Sequence, residues 1–99
     1  MDITVVDPDW FIPSAFTPDG SGRNDVFRVR GESISNFEMS VFDRFGSLVY
    51  FSNDFYAAWD GNSQQDGSVL AAGAYVYRIR GIDENGEEVV FNGLVNLIR

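Results

Sequence analysis

The sequence contains no cysteine, no histidine and no lysine; all seven of its basic residues are arginine. Disulfides, thiolate nucleophiles, imidazole bases, Cys/His zinc sites and lysine Schiff-base chemistry are therefore excluded. The lack of cysteine leaves the compartment open, because secreted bacterial domains and cytosolic ones can both do without it. No apolar stretch approaches the ~20 residues that a membrane-spanning helix needs, so membrane insertion is not expected. Positive charge is also scarce: seven basic against fifteen acidic residues give a net charge of -8. Such a surface repels phosphate backbones and anionic headgroups, and nucleic acid is not expected as a partner.

What the chain has is aromatic bulk, 15% of 99 residues. That is enough for one modest core, and the expected product is a monomer. No segment holds a helical period for ten residues, whereas short runs alternate apolar and polar residues between Gly, Asn and Asp clusters. The pattern predicts an all-β chain with strands near Ile3–Val6, Phe11–Phe16, Val26–Arg30, Asn36–Asp43, Ser47–Ser52, Ala74–Ile82 and Glu88–Ile98. In the fourth run Phe37, Met39 and Val41 share a face, as a half-buried strand requires. Asp43-Arg44-Phe45-Gly46 turns it back, and Asn85-Gly86 marks a second hairpin between Tyr75–Ile82 and Val89–Phe91. Gly93 inside the last run signals a bulge or a close approach of backbone. About seven short antiparallel strands at this length imply a two-sheet sandwich of immunoglobulin or fibronectin-III type. Residues 1–10 read as a lead-in or first strand, and 11–99 as one β-sandwich domain.

Five features could carry chemistry. Gly20-Ser21-Gly22 lacks the helix start and the Lys of a phosphate loop, and Asp19 and Asp25 flank it. Asp19, Ser21, Asn24 and Asp25 gather oxygen donors on a tight turn, which suits calcium, although the same residues also cap turns through their own backbone. Calcium is the single cofactor the sequence leaves open. Trp59-Asp60-Gly61 reads as a core plug followed by a turn; the alternative is a sugar-stacking platform with Phe55 and Tyr56, and Trp10 is the more exposed aromatic candidate. The carboxylate pairs Asp60/Asp66 and Glu87/Glu88 sit in loops or at a strand start with no cleft to enclose them, so the expectation is that the chain is not an enzyme. Arg28 with Arg30, and Arg78 with Arg80, would pair with acids across strands or form a carboxylate-binding stripe.

Five motifs in order resemble a known family. Ile12-Pro13-Ser14-Ala15-Phe16-Thr17-Pro18-Asp19-Gly20-Ser21-Gly22-Arg23-Asn24-Asp25-Val26-Phe27 is similar to the opening phrase I-P-N-A-F-T-P-N-G-D-G-x-N-D-x-F of the gliding motility-associated C-terminal domain, the type B sorting domain of the type IX secretion system in Bacteroidetes. Asp43-Arg44-Phe45-Gly46, Trp59-Asp60-Gly61, Gly73-Ala74-Tyr75-Val76-Tyr77 and Leu97-Ile98-Arg99 follow in the family's sequence. Asp19 and Ser21 depart from the usual Asn and Asp, and Ala71-Ala72 from the usual Pro or Ser.

The resemblance implies a non-catalytic domain of a larger exported protein, attached to upstream passenger domains. The outer-membrane secretion machinery would read it and deliver the passenger to the cell surface or beyond. It places recognition at Leu94, Val95, Leu97, Ile98 and Arg99, together with the loop Thr17–Asp25. The opening Met1–Asp7 lacks the basic start and apolar stretch of a signal peptide, so export would require the sequence to be part of a longer protein. A different reading of the same residues is an adhesive or carbohydrate-binding immunoglobulin-like surface module presenting Trp10 and Tyr56.

Overall fold

A computed structural model of the chain describes residues 10–20, 25–32 and 34–99. The strand expected at Ile3–Val6 lies outside them. Among the described residues there is no helix, and seven strands form two sheets: β1 (Trp10–Phe11), β2 (Ala15–Phe16), β3 (Arg30–Gly31), β4 (Ser35–Phe42), β5 (Leu48–Ser52), β6 (Gly73–Ile82) and β7 (Glu88–Leu97). β1 pairs with β3, and the second sheet runs β2-β7-β6-β4-β5. The result is an all-β, immunoglobulin-like sandwich.

The long strands follow the alternation in the sequence. Phe37, Met39 and Val41 of β4, Tyr75 and Ile79 of β6, and Val95 and Leu97 of β7 are buried on one face, while their neighbours point to solvent. The opposing layer has little regular strand. It is made of β1 and β3, the segment carrying Phe27 and Val29, and the loop carrying Phe55 and Trp59. Trp59 is fully buried, with ring centroids 5.2 Å from both Phe16 and Tyr75. Phe27 and Trp59 exchange two backbone hydrogen bonds of 2.8 and 2.9 Å.

Three differences from the sequence reading have physical causes. The run Phe11–Phe16 is two strands in two different sheets, because Pro13 between them has no N–H to donate and a fixed φ. β2 pairs with β7 in parallel, Ala15 beside Asn96 and Phe16 beside Leu97, so the sandwich is not wholly antiparallel. The second hairpin is organised by Asp83 rather than by a two-residue Asn-Gly turn. Its Oδ1 accepts the N–H groups of Asn85 and Glu87, each at 2.9 Å, and Gly86 is the one turn residue with positive φ, +81°. Asp43 does the same for Phe45 and Ser47 in the first hairpin, with Gly46 at +84°. Both turns are therefore type I with a glycine bulge.

Gly81 is needed for a close crossing. A Cβ there would collide with Ile34 Cγ2 and lie 2.9 Å from the Ser35 carbonyl oxygen. Gly81→Ala is expected to cost about 1–3 kcal/mol, read as a lowered urea midpoint with an unchanged slope; an unchanged midpoint would show that the Ile34 segment gives way freely.

The titrating groups set the pH range of the fold. Burial pushes the phenols of Tyr50, Tyr75 and Tyr77 above their ordinary 10.0, so folding favours their protonated form. Their contribution is complete below pH 10.0 and is lost as pH rises through the folded values. The Ser68 backbone N–H holds the Asp66 carboxyl below its ordinary 3.8, a contribution present above that pH and lost as pH falls. With no histidine, the urea midpoint should be level between about pH 6 and 9 and fall on either side.

Candidate functional site

The five sequence motifs meet at one end of the sandwich. β7 carries the chain along the sheet to its last residues, where β2 clamps it: the Asn96 N–H donates to the Ser14 carbonyl at 2.9 Å and the Ile98 N–H to the Phe16 carbonyl at 3.0 Å. Beyond them the Arg99 guanidinium turns inward, donating from Nε to the Leu70 carbonyl at 2.8 Å and from Nη2 to the Gly61 carbonyl at 2.9 Å. Gly61 belongs to the Trp-Asp-Gly turn and has φ +88°. A Cβ on it would stand 3.1 Å from Arg99 Nη2, 3.2 Å from Leu97 Cδ1 and 3.3 Å from Pro18 Cγ. The opening phrase at Pro18, the Trp59 turn and the terminal Leu-Ile-Arg thus share one contact.

The other two motifs lie alongside. Leu70–Tyr75 and the hairpin tip Asp43–Phe45 line an open pocket of about 210 Å³. The Tyr75 hydroxyl donates to the Ala71 carbonyl at 2.7 Å and pins the approach to β6. Phe45 is 79% exposed at the tip, with the Arg44 guanidinium 5.0 Å from its ring centroid. An exposed aromatic beside a shallow pocket, next to a fixed arginine, is the kind of surface that anchors a protein partner.

The expected recognition residues divide by the two-residue period of β7. Val95 and Leu97 are fully buried in the core, whereas Leu94 and Ile98 are exposed on the outer face and Arg99 is exposed with its guanidinium tied down. Of these residues the folded domain presents Leu94, Ile98 and Arg99 at its surface, while Val95 and Leu97 contribute to the fold. Leu94 also ends an apolar row that crosses the sheet through Val76 and Phe42 to Leu48, each directly beside the next.

In the loop Thr17–Asp25, Ser21 and Asn24 lie outside the described residues. Asp25 Oδ1 accepts the N–H groups of Asp19 at 3.3 Å and Gly20 at 3.1 Å, the turn-capping role of such a carboxylate. No three acidic residues come together as a metal site among the described residues.

The remaining candidates are placed as follows. Trp10 is half-buried rather than exposed: its ring packs edge-on to Phe91 at 5.7 Å and its indole N–H donates to the Glu32 carbonyl at 2.7 Å. Tyr56 is exposed, with Arg28 5.7 Å from its ring centroid. Arg80 pairs across strands with Glu38 at 3.8 Å and Glu88 at 3.6 Å, exposed contacts that add little stability.

Sequence reasoning did not single out Gln64 and Gln65. The Gln64 amide accepts the Phe51 N–H and donates to the Phe51 carbonyl, both at 2.9 Å, and Gln65 Nε2 donates to the Leu48 carbonyl at 3.1 Å. The long loop Asn62–Leu70 exists to cover the free edge of β5. No local pattern announces that role.

Residues 10–97 match the family model of the CHU_C type IX secretion signal domain. No curated protein matches the chain.

The shared contact at Gly61 is open to a double-mutant cycle. Arg99→Ala should cost about 1 kcal/mol, since its bonds are charge-assisted but partly exposed, and Gly61→Ala about 1–3 kcal/mol from positive φ and crowding. The pair should cost less than the sum by at least ~0.5 kcal/mol, because removing Arg99 frees the space that a Cβ needs. Strict additivity in urea melts would dissolve the contact.

Proposed function

The chain belongs to the family of type IX secretion signal domains, and from that premise we propose that it is a non-catalytic sorting domain, recognised in its folded form by the outer-membrane secretion machinery through the end at which the motifs converge. The carrying observation is the Arg99 clamp. It locks the terminal residues to the Trp59 turn and the Pro18 loop, so the signal is a shaped surface rather than a loose tail. Upstream passenger domains of the same protein would be carried across the outer membrane to the cell surface or the medium. Nothing in this role requires a nucleophile, an acid–base pair or a cofactor. Phe45, Leu94, Ile98 and Arg99 are the side chains this surface offers a receptor, with Val95 and Leu97 holding it in shape.

A fusion of Phe11–Arg99 to a fluorescent carrier with an export signal, expressed in a host possessing this system, tests the reading. Truncation of Leu97–Arg99 alone is a poor comparison, because it removes a buried core residue as well as the surface. The surface variants Ile98→Ser, Arg99→Ala and Phe45→Ser are better, each checked for an intact fold by its urea melt. The intact fusion should reach the medium or cell surface. Loss of an anchor contact worth ~1–2 kcal/mol should reduce delivery by about tenfold. If the intact fusion is retained like carrier alone, the proposal fails; delivery unchanged in all three folded variants would move the recognised surface elsewhere.

A further inference from the structure

The five-stranded sheet has two edges, and the fold treats them differently. At β5 the side chains of Gln64 and Gln65 stand in for a missing strand. At β7 the pairing with β2 is confined to Ala15–Phe16, opposite Asn96–Leu97. The N–H groups of Asn96 and Ile98 point toward β2. By the two-residue period, those of Leu94, Asn92 and Val90 point the same way, and among the described residues no backbone group meets them. Exposed edges are normally guarded by charge, proline or a bulge. Here Val89–Ile98 carries no charge, no proline and no register shift.

Beside this edge is a second pocket, about 500 Å³, lined by Trp10, Phe11, Ile12, Tyr77, Phe91 and their neighbours. It opens where the chain leaves β1 for β2 and peels away from β7. The Tyr77 hydroxyl lies over Gly93, where an added Cβ would be 2.6 Å from it, and makes no hydrogen bond among the described residues. The turn leading into β7, just before Val90 in the chain, carries Asp83, Glu84, Glu87 and Glu88, four carboxylates in six residues; Asp83 caps the turn and Glu88 pairs with Arg80.

We propose that the edge Val90–Leu94 and the Trp10–Phe91 groove bind an extended peptide segment of a partner protein, which adds to the sheet as a further strand. Its backbone would satisfy the outward N–H and C=O groups of Val90, Asn92 and Leu94. Alternate apolar side chains would enter the groove, and a Lys or Arg at one end would lie over the Asp83–Glu88 turn. Charge complementarity selects this occupant. The edge itself is neutral, so the strand needs no charge along its length, and the acids of the Asp83–Glu88 turn are concentrated at one end. A second copy of the chain fills the groove poorly, because Phe91 and Gly93 on the groove side of its own β7 are already packed against its own Trp10 and Tyr77. The proposal shares only Leu94 with the surface offered to a receptor and none of the residues varied in the delivery test, so the two readings can fail separately.

Panning random heptapeptides against the intact chain should enrich sequences with an apolar residue at every second position and a terminal Lys or Arg. Added to isotope-labelled protein, the enriched peptide should slow amide exchange of Val90, Asn92 and Leu94 about tenfold or more. Val89, Phe91 and Gly93, whose N–H groups face β6, should be unaffected. Asn92→Pro removes an N–H that β6 does not use and should abolish the effect; should that variant unfold, Asn92→Lys places an edge charge with little demand on the fold. Enrichment without the alternating pattern, protection elsewhere, or no protection overturns the proposal. So does faster exchange at these three amides on deleting residues 1–9, which would make the chain's own amino-terminal segment the occupant, or protection that grows with protein concentration alone, which would indicate self-pairing.

Discussion

Everything at the Arg99 end depends on the burial of Trp59. A five-stranded sheet presents one apolar face, and among the described residues the layer over it contains two short strands, so something large must fill the space between them. Trp59 does so, in contact with Phe16 from the opening phrase and Tyr75 from β6. Its backbone is paired with Phe27 and its indole N–H donates to the Asn62 carbonyl at 2.9 Å, so the ring cannot shift without breaking the turn that follows it. That turn presents the Gly61 carbonyl to Arg99. A buried side chain whose truncation would cost ~3–5 kcal/mol is thereby coupled to the placement of the terminal residue.

The four long strands were legible because each has one face in the core and one in solvent, which imposes the two-residue period on the sequence. Phe37, Met39 and Val41 are buried as their spacing predicts, and the Asp-x-x-Gly turns lie where glycine marked them. The opposing layer was far less legible. Its residues are held by single contacts, such as the Phe27–Trp59 pair, that leave no periodic trace. Parallel pairing of β2 with β7 is equally invisible, since a two-residue strand carries no mark of its partner's direction. At the candidate site, the division of Val95 and Leu97 from Leu94 and Ile98 was already present in the alternation of β7. The docking of Arg99 was not, because its acceptors are backbone carbonyls 29 and 38 residues away, and any residue type supplies a carbonyl.

Management of sheet edges connects these observations. A sheet of five strands must dispose of two rows of backbone donors and acceptors, and the cheapest devices are local: a charge, a proline, a bulge. This chain instead spends a loop on β5, with Gln64 reproducing both bonds of an absent neighbour. It spends the parallel strand β2 on the last residues of β7, where the terminal motif has to be held in register with Phe16. Gly93 leaves room for the Tyr77 ring over β7 just before that clamp begins. Among the described residues the middle of β7 receives neither treatment, although Val89–Ile98 carries no charge in a strongly acidic chain. A fold that covers one edge with two side-chain amides, and fixes the end of the other with a strand, has the means to cover the remainder. That Val90–Leu94 meet no backbone partner among the described residues, beside an aromatic groove, marks that edge as a place where another chain belongs.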